Sequence, residues 1–370
     1  MPPTPDHGSR TGLDLDLPGH VERELTSFLQ RRRAEAELID TSFADAVDAL
    51  SGFVLGGGKR IRPTFAWWGW RGAGGDPDGP ETPSVLRALS ALELIQACAL
   101  VHDDLMDDSA MRRGAPTIHV AFGERHRAEA LRGEPERFGL AAAVLLGDLA
   151  LAWADDMLFG AGLPPEALRR AAEPWRLMRT EVLAGQYLDV LTQARGDESV
   201  EAALRVPRMK TAAYTVERPL HLGAAIAGAD EGLVEAFRRF GADIGIAFQL
   251  RDDLLGVFGD PEVTGKPAGD DLREGKRTLL VALGLEHAET SGRHDAAGVL
   301  RAAVGDPELT EERVEVVREL LVDLGAVAAV ERRIDELREA ALAALAAAPV
   351  AEPAATRLAE LAVAATRRAW

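Results

Sequence analysis

The sequence predicts an all-α fold in a single helical domain, on three observations. Apolar residues recur at helical spacing, as in Val85, Leu89, Leu92, Ile95 and Ala99, and again in Val316, Leu320, Val322 and Leu324. Alternating β-branched runs, the mark of strands, are nearly absent. Ala, Leu and Arg dominate, while aromatic residues make up only 5% of the chain, a composition that favours helices. With 47% hydrophobic residues over 370 positions, there is enough apolar mass for a sizeable core.

Taken in chain order, the first twenty residues carry Pro and Asp where a signal peptide would need a basic start and an apolar run. They are read as a flexible extension (1–20), with the helical domain spanning 21–370. Residues 72–84 form a Gly/Pro loop whose Pro83-Ser84 suits a helix start. Residues 124–137 are highly charged and read as solvated. Leu163-Pro164-Pro165-Glu166 opens another helix, with proline in the first turn and an acid near the positive end of the dipole. Residues 259–271 are a long polar loop after an apolar helix, and the Ala-rich tail (340–365) reads as one or two helices broken near Pro349 and Pro353. No stretch approaches the roughly 18 uninterrupted apolar residues of a membrane span, so none is expected, and the cytoplasm is the expected location.

The formal charge of −18 argues against nucleic acid as a partner, because it is a polyanion. An anionic substrate must therefore meet locally placed cations, either basic side chains or bound metal. The one cysteine, Cys98, excludes an intrachain disulfide and a cysteine-based zinc cage. Lying between Ala97 and Ala99, it reads as a buried small residue rather than a nucleophile.

The sharpest motif is HDDLMDD, residues 102–108, at the end of an apolar helical run. Asp103 and Asp107 stand at i and i+4, so their carboxylates share one helix face, where like charges repel. A hard divalent cation such as Mg²⁺ relieves that repulsion and is usually completed by phosphate oxygens. Taken alone, such a cluster equally suits a solvated acidic helix end. A second pair, Asp252-Asp253, lies inside the apolar stretch around Phe248, Leu250, Leu254 and Leu255. Buried carboxylates are normally paired or metal-bound, so two such pairs point to an acidic, metal-binding cavity.

Basic motifs alternate with the acidic ones. LGGGKRIRP (55–63) sets Lys59, Arg60 and Arg62 beside three glycines, MRRGAPT (111–117) supplies Arg112 and Arg113, and Lys210 and Lys266 follow. Neither glycine-rich segment is a P-loop: Lys59 is followed by Arg60 rather than Ser or Thr, and Lys266 lies one residue too far from Gly259 and is followed by Pro267. Arginine forks suit phosphate recognition. Together these features imply an anionic ligand that binds Mg²⁺ and has an apolar portion: a diphosphate on a hydrocarbon.

GGGKRIRP, HDDLMD with RRGAPTIH, GQYLD, MKTA, and FQLRDD with VTGKPAGDDLREGKRT occur in the order found in trans-isoprenyl diphosphate synthases, which the chain resembles from about Ala44 to Leu283. The nearest resemblance is to the bacterial geranylgeranyl diphosphate synthases of that family. The resemblance implies helices packed around a deep central cavity, and head-to-tail transfer from an allylic diphosphate to isopentenyl diphosphate. It implies three Mg²⁺ ions held by Asp103, Asp107 and Asp252. Arg112, Lys210 and Lys266 resemble the allylic-diphosphate ligands. Lys59, Arg62 and Arg113 resemble the isopentenyl-diphosphate site, with Gln96 where many relatives carry His. Thr211 and Gln249 would turn oxygens toward the developing cation. A homodimer is expected on the same ground. One departure stands out: the second motif ends at Gly256, where the family commonly has a third aspartate, and Asp270 or Asp271 is the candidate replacement.

Product length follows from helix geometry combined with the resemblance. One helical turn is about 5.4 Å, close to one isoprene unit. In the family a bulky aromatic four or five residues before the first aspartate closes the pocket for C15 products. Here those positions hold Ala99 and Cys98, so the floor moves a turn deeper, near Leu94 and Ile95, and a C20 product is expected. Farnesyl or longer products, a class I terpene cyclase, and a non-catalytic subunit of a heteromeric synthase are the other readings. The cyclase has no use for a second diphosphate site, and the partner subunit should have lost ligands that are present here.

Overall fold

A computed structural model describes residues 12–259 and 269–367. The described chain is helical apart from loops and one pair of two-residue strands. It divides into two compact units where the sequence suggested one domain. The first runs to Pro174 and includes Leu222–Ala229 and Ala351–Ala354; the second comprises Trp175–His221, Asp230–Val350 and the residues from Ala355.

The first unit contains α1 (Gly12–Leu15), α2 (Leu17–Ile39), α3 (Thr41–Leu55), α4 (Ile61–Gly72), α5 (Thr82–Ser90), α6 (Leu92–Met106), the strands β1 (Met111–Arg112) and β2 (Ala115–Pro116), α7 (Ile118–Ala128), α8 (Pro135–Phe159) and the start of α9 (Pro165–Arg195). Residues 12–15 and 17–20, read from sequence as part of a flexible extension, are helical, and residues 1–11 lie outside the described range. The physical reason is local: Asp16 caps α2 by accepting from the Gly19 N–H, and Pro18 sits in the first turn. Leu17, Val21, Leu25, Phe28 and Leu29 then form a buried stripe. Asp40 ends α2 and caps α3 through the Ser42 N–H at 2.7 Å. The charged stretch 124–137 is largely exposed apart from His126, and is helical at both ends: α7 continues to Ala128 and α8 begins at Pro135.

Asp14 anchors the N-terminal turn. Its side chain is fully buried, accepts from Trp67 Nε1 at 2.8 Å, and pairs with Arg71 at 3.3 Å. Removing one partner of a buried pair strands the other charge, at a cost of about 3–5 kcal/mol. Asp14→Ala is therefore expected to lower the unfolding free energy by about 3 kcal/mol, read as a reduced urea midpoint with an unchanged m-value. Asp14→Leu, equally disruptive of the pair, should be no less destabilising, whereas a midpoint unchanged in both would show that the anchor contributes nothing.

By length and composition, Thr82–Met106 and Pro135–Phe159 each meet the measure of a membrane-crossing helix, both with mean hydropathy 1.6. The first is 72% buried inside the protein, as a core helix is, and the second 39%. Phe138, Leu140, Val144 and Leu145 of α8 are exposed.

The second unit holds the remainder of α9, α10 (Val200–Val206), a π-helical segment (Pro207–Glu217), the first turn of α11 (Arg218–Ala227), α12 (Glu231–Phe258), α13 (Asp270–Arg273), α14 (Leu279–Thr290), α15 (His294–Ala303), α16 (Glu311–Asp323), α17 (Ala326–Ala347) and most of α18 (Ala354–Thr366). The break between the last two helices falls at Pro349 and Pro353, as the sequence indicates. Its core gathers Leu250, Leu254 and Val257 of α12 with Leu280, Leu321, Val330 and Ile334. α12 packs against the π-helix and α17. Asp230, Thr278 and Thr310 cap α12, α14 and α16. Arg251, buried on α12, donates Nη1 to Glu331 at 2.7 Å and Nε to the Thr366 carbonyl at 3.0 Å.

His221 gives this unit an acid-sensitive group. Burial holds its imidazole at about 4, and the nearby charges of Arg218 and Arg238 add to the effect. Arg218 Nη1 lies 3.2 Å from Nδ1, a bond that suits the neutral ring. The folded pKa lies below the unfolded one, so the unfolded chain takes up the proton first as pH falls. The contribution of His221 is therefore complete above about pH 6.5 and is lost between there and about pH 4. His221→Gln should flatten the fall in urea midpoint between pH 7 and pH 4.5. A variant with the same acid slope as wild type would sink the assignment.

Candidate active site

The predicted site residues fall into two sets, one in each unit. In the first unit, α6 presents its carboxylates at the C-terminal turn. Asp103 and Asp107 are half-buried, while Asp104, between them, is buried. Asp107 ends the helix, its N–H donating to the Asp103 carbonyl at 2.9 Å. Asp104 Oδ1 accepts from Arg112 Nε at 2.6 Å, with Nη2 close to the same oxygen. Burial raises the Asp104 pKa, and Arg112 opposes that shift. Sequence reasoning gave Asp104 no role. Its position shows it orienting the arginine predicted to meet diphosphate.

The chain then turns back as a hairpin. Met111 pairs with Pro116 and Arg112 with Ala115, leaving Arg113-Gly114 as a two-residue turn. Both turn residues have positive φ, 53° and 77°, as a type I′ turn requires. Thr117 closes the base by donating Oγ1 to the Ser109 carbonyl at 2.8 Å. At the tip, Arg113 Nη1 donates to the Gly57 carbonyl, so the hairpin meets the glycine-rich loop. Partial burial lowers the Arg113 pKa against the pull of Glu93, and Arg60, Arg112 and Arg62 crowd it with like charge.

In that loop Arg60 is also left-handed, with φ 49°. It is buried, and its Nη1 donates to Glu93 of α6 at 2.7 Å and to the Val54 carbonyl at 3.0 Å. Its Nε and Nη2 are buried with no hydrogen-bond partner among the described residues. Lys59 is exposed and Arg62 half-buried. A cluster of four arginines and a lysine, with buried donors unsatisfied, is an environment made for an anion.

On α6, Gln96 is half-buried and Ile95 is buried. The predicted chain-length residues separate here. Cys98 is on the His102 side of the helix, Sγ to Nδ1 at 3.8 Å, and His102 Nε2 reaches the Val144 carbonyl of α8 at 3.3 Å. Burial pushes the Cys98 thiol up to about 12, with Asp148 adding, which makes it a poor nucleophile. Ala99 stands four residues before Asp103, on the same face as that carboxylate.

In the second unit, MKTA lies in the π-helix, a conformation frequent at functional sites. An ideal Cβ on Gly245 would sit 2.4 Å from Ala212 Cα, so the close approach of α12 to the π-helix requires glycine there. That approach brings Thr211 Oγ1 to Gln249 Oε1 at 2.7 Å, and Gln249 Nε2 donates to Asp253 Oδ1 at 2.7 Å. The network fixes the amide orientation and engages the Gln249 oxygen with Thr211. Burial pushes the Asp253 carboxyl up to about 7; the Gln249 bond opposes it, while Asp271 and Asp252 add to it. Lys210 Nζ donates to Asp189 of GQYLD at 2.8 Å, a partner the sequence reading did not assign. Asp252 is half-buried beside Asp253. Lys266 lies outside the described residues.

The donor set fits a hard divalent cation. All candidate ligands are carboxylate oxygens, and Asp104 Oδ2 is buried with no hydrogen-bond partner among the described residues. Among the described residues no group of three or more His, Cys, Asp or Glu could hold a metal ion unaided. Mg²⁺ is characteristically held by one or two carboxylates with waters and substrate phosphate oxygens, so a sparse carboxylate set is what it needs.

The chain matches the family model described as "Polyprenyl synthetase" over residues 45–321. It is 33% identical to a geranylgeranyl diphosphate synthase of Mycobacterium tuberculosis, covering 90% of this chain and 92% of that protein. It is 32% identical to a (2E,6E)-farnesyl diphosphate synthase of the same organism, covering 87% and 84%. A crystal structure of geranylgeranyl pyrophosphate synthase from Corynebacterium glutamicum, complexed with isoprenyl diphosphate and magnesium, superposes with a TM-score of 0.91 at 50% identity, covering 95% of this chain and 98% of that one.

Proposed function

The chain belongs to the polyprenyl synthetase family, and from that premise we propose that it condenses isopentenyl diphosphate with an allylic diphosphate to give geranylgeranyl diphosphate. The observation that supports this best is the α6–hairpin arrangement, in which two half-buried carboxylates on one helix face stand beside an arginine-rich turn. Asp103, Asp107 and Asp252 would hold Mg²⁺, three ions in all. When bound, these ions neutralise the departing diphosphate and so assist C–O heterolysis.

The chain's own residues supply the rest. Arg112, oriented by Asp104, and Lys210, held by Asp189, bind the allylic diphosphate together with Lys266. Lys59, Arg62, Arg113 and Gln96 bind isopentenyl diphosphate, and the positive field around Arg113 favours that second anion. Holding the nucleophilic double bond close to the reacting carbon converts an encounter into a positioned reaction. Thr211 and Gln249 turn polar oxygens toward the developing positive charge. His102, beside Asp103, is turned to the Val144 carbonyl of α8, and the released diphosphate takes the final proton. The small Ala99 leaves room for a C20 tail, and the exposed apolar face of α8 suits a homodimer.

The test is incubation with isopentenyl diphosphate and each of dimethylallyl, geranyl and farnesyl diphosphate in Mg²⁺, with products separated by chain length. A dominant C20 product that disappears with EDTA is expected. A C15 product alone would overturn the length assignment, and absence of condensation with every primer would overturn the synthase reading.

A further inference from the structure

We propose that His102, seated in a slot that Gly147 opens in α8, fixes the rotation of α6 and so holds Asp103 and Asp107 toward the diphosphate. The inference rests on the metal-dependent synthase reading and deepens it, and it makes His102 a positioning residue. Gly147 lies in the interior of α8, where glycine is disfavoured relative to alanine. An ideal Cβ there would lie 2.1 Å from His102 Nε2, 2.5 Å from Cδ2 and 2.8 Å from Cε1. The His102 ring therefore fills the volume of the side chain that position 147 lacks. Within the slot, Nε2 lies 3.3 Å from the Val144 carbonyl. A carbonyl only accepts, so Nε2 carries the proton and donates it. The exposed Asp148 stands 3.8 Å from the same nitrogen. Nδ1 is left as the acceptor facing Cys98 Sγ at 3.8 Å, one turn back on α6.

Successive residues of a helix are about 100° apart, so Asp103 lies about 100° and Asp104 about 200° round α6 from His102. Both sequence neighbours of Asp103 are anchored, and to different elements: His102 to α8, and Asp104 to Arg112 of the hairpin at 2.6 Å. The arc between the two anchors carries Gln96, Ala99, Leu100, Asp103 and Asp107, all of them half-buried. Ala97, Cys98, Val101 and Asp104, outside that arc or at its edge, are buried. The anchor on α8 is the stiffer one, since α8 runs for 25 residues while Arg112 sits on a two-residue strand. Without the ring in its slot, α6 keeps only the hairpin contact to set which carboxylates face outward.

Two readouts in the full chain test this, both taken at a temperature where melting curves show each variant folded. The first is the rate at which Cys98, the one cysteine and buried on the His102 side of α6, reacts with a coloured aryl disulfide. The second is the Mg²⁺ concentration that gives half-maximal thermal stabilisation by inorganic pyrophosphate. His102→Ala empties the slot and Gly147→Ala fills it, so failure of one to fold leaves the other as the test. Each should speed the labelling of Cys98 by about 10-fold or more, through opening of the α6–α8 contact. Each should also raise the Mg²⁺ requirement by about 10-fold, as loss of a residue that orients a metal ligand does. The double variant should match His102→Ala, because without the ring the slot holds nothing that alanine could expel. Wild-type values in both single variants, or a double variant in which the two effects multiply, would overturn the proposal. So would a lowered melting temperature with an unchanged Mg²⁺ requirement, which is what packing alone predicts. A wild-type protein with no Mg²⁺-dependent response to pyrophosphate would overturn the synthase reading instead, and the labelling rates would then decide whether the slot holds α6.

Discussion

Asp103→Ala is expected to lower kcat/KM for prenyl transfer by roughly 10²–10³-fold, the range seen when one preorganised stabiliser of transition-state charge is removed. Asp103 is half-buried on the last turns of α6 and shares a face with Asp107, so its loss removes one of the two carboxylates that the proposal assigns to Mg²⁺. Stability should change little, because the repulsion between two like charges on one face is relieved at the same time. Asp104→Asn should behave differently. It weakens the charge-assisted bond to Arg112, so the expected change is a raised KM for the allylic diphosphate together with a lower urea midpoint. Steady-state kinetics at saturating Mg²⁺, with urea unfolding of both variants, separate the two. Activity of Asp103→Ala within threefold of wild type would remove that carboxylate from the metal site.

On the proposed C20 assignment, Ala99→Phe is expected to shift the dominant product to C15. Position 99 lies one turn before Asp103 on the same face, and one turn of about 5.4 Å corresponds closely to one isoprene unit. A phenyl group there would occupy the space of the last unit added. Cys98→Phe should act by another route, since Cys98 is on the His102 side of α6, the side packed against α8. Overpacking that contact costs about 1–3 kcal/mol, so lost stability is the main effect expected there. Chain-length analysis of dephosphorylated products from both variants is the measurement. An unchanged C20 product from Ala99→Phe would show that α6 does not set the limit.

The helices were legible because their boundaries are written in local chemistry. Pro165 opens α9, and Pro349 and Pro353 interrupt the tail, as the residue types require. The start of α2 carried the same kind of signal in Asp16 and Pro18, but the surrounding charge masked it. The hairpin was not legible. Its strands are two residues long, and Arg113 is an unusual residue for a left-handed turn position. The candidate site residues were picked from motif order, but their hydrogen-bond partners could not be. Asp104 and Arg112 are eight residues apart, Lys210 and Asp189 twenty-one, and Arg60 and Glu93 thirty-three. Which of two adjacent aspartates is turned inward is a matter of helix rotation against α8, and the motif does not encode it.

Arg251 ties the helix that bears Asp252 to the far end of the chain, since its Nε donates to the Thr366 carbonyl. For protein engineering this makes the C-terminus a remote handle on the second aspartate cluster. Trimming the chain back past Thr366, or fusing a rigid partner that pulls on that turn, would strip a buried guanidinium of an acceptor one residue from Asp252. A fusion partner placed after Thr366 therefore belongs behind a flexible spacer that leaves the last turn of α18 undisturbed.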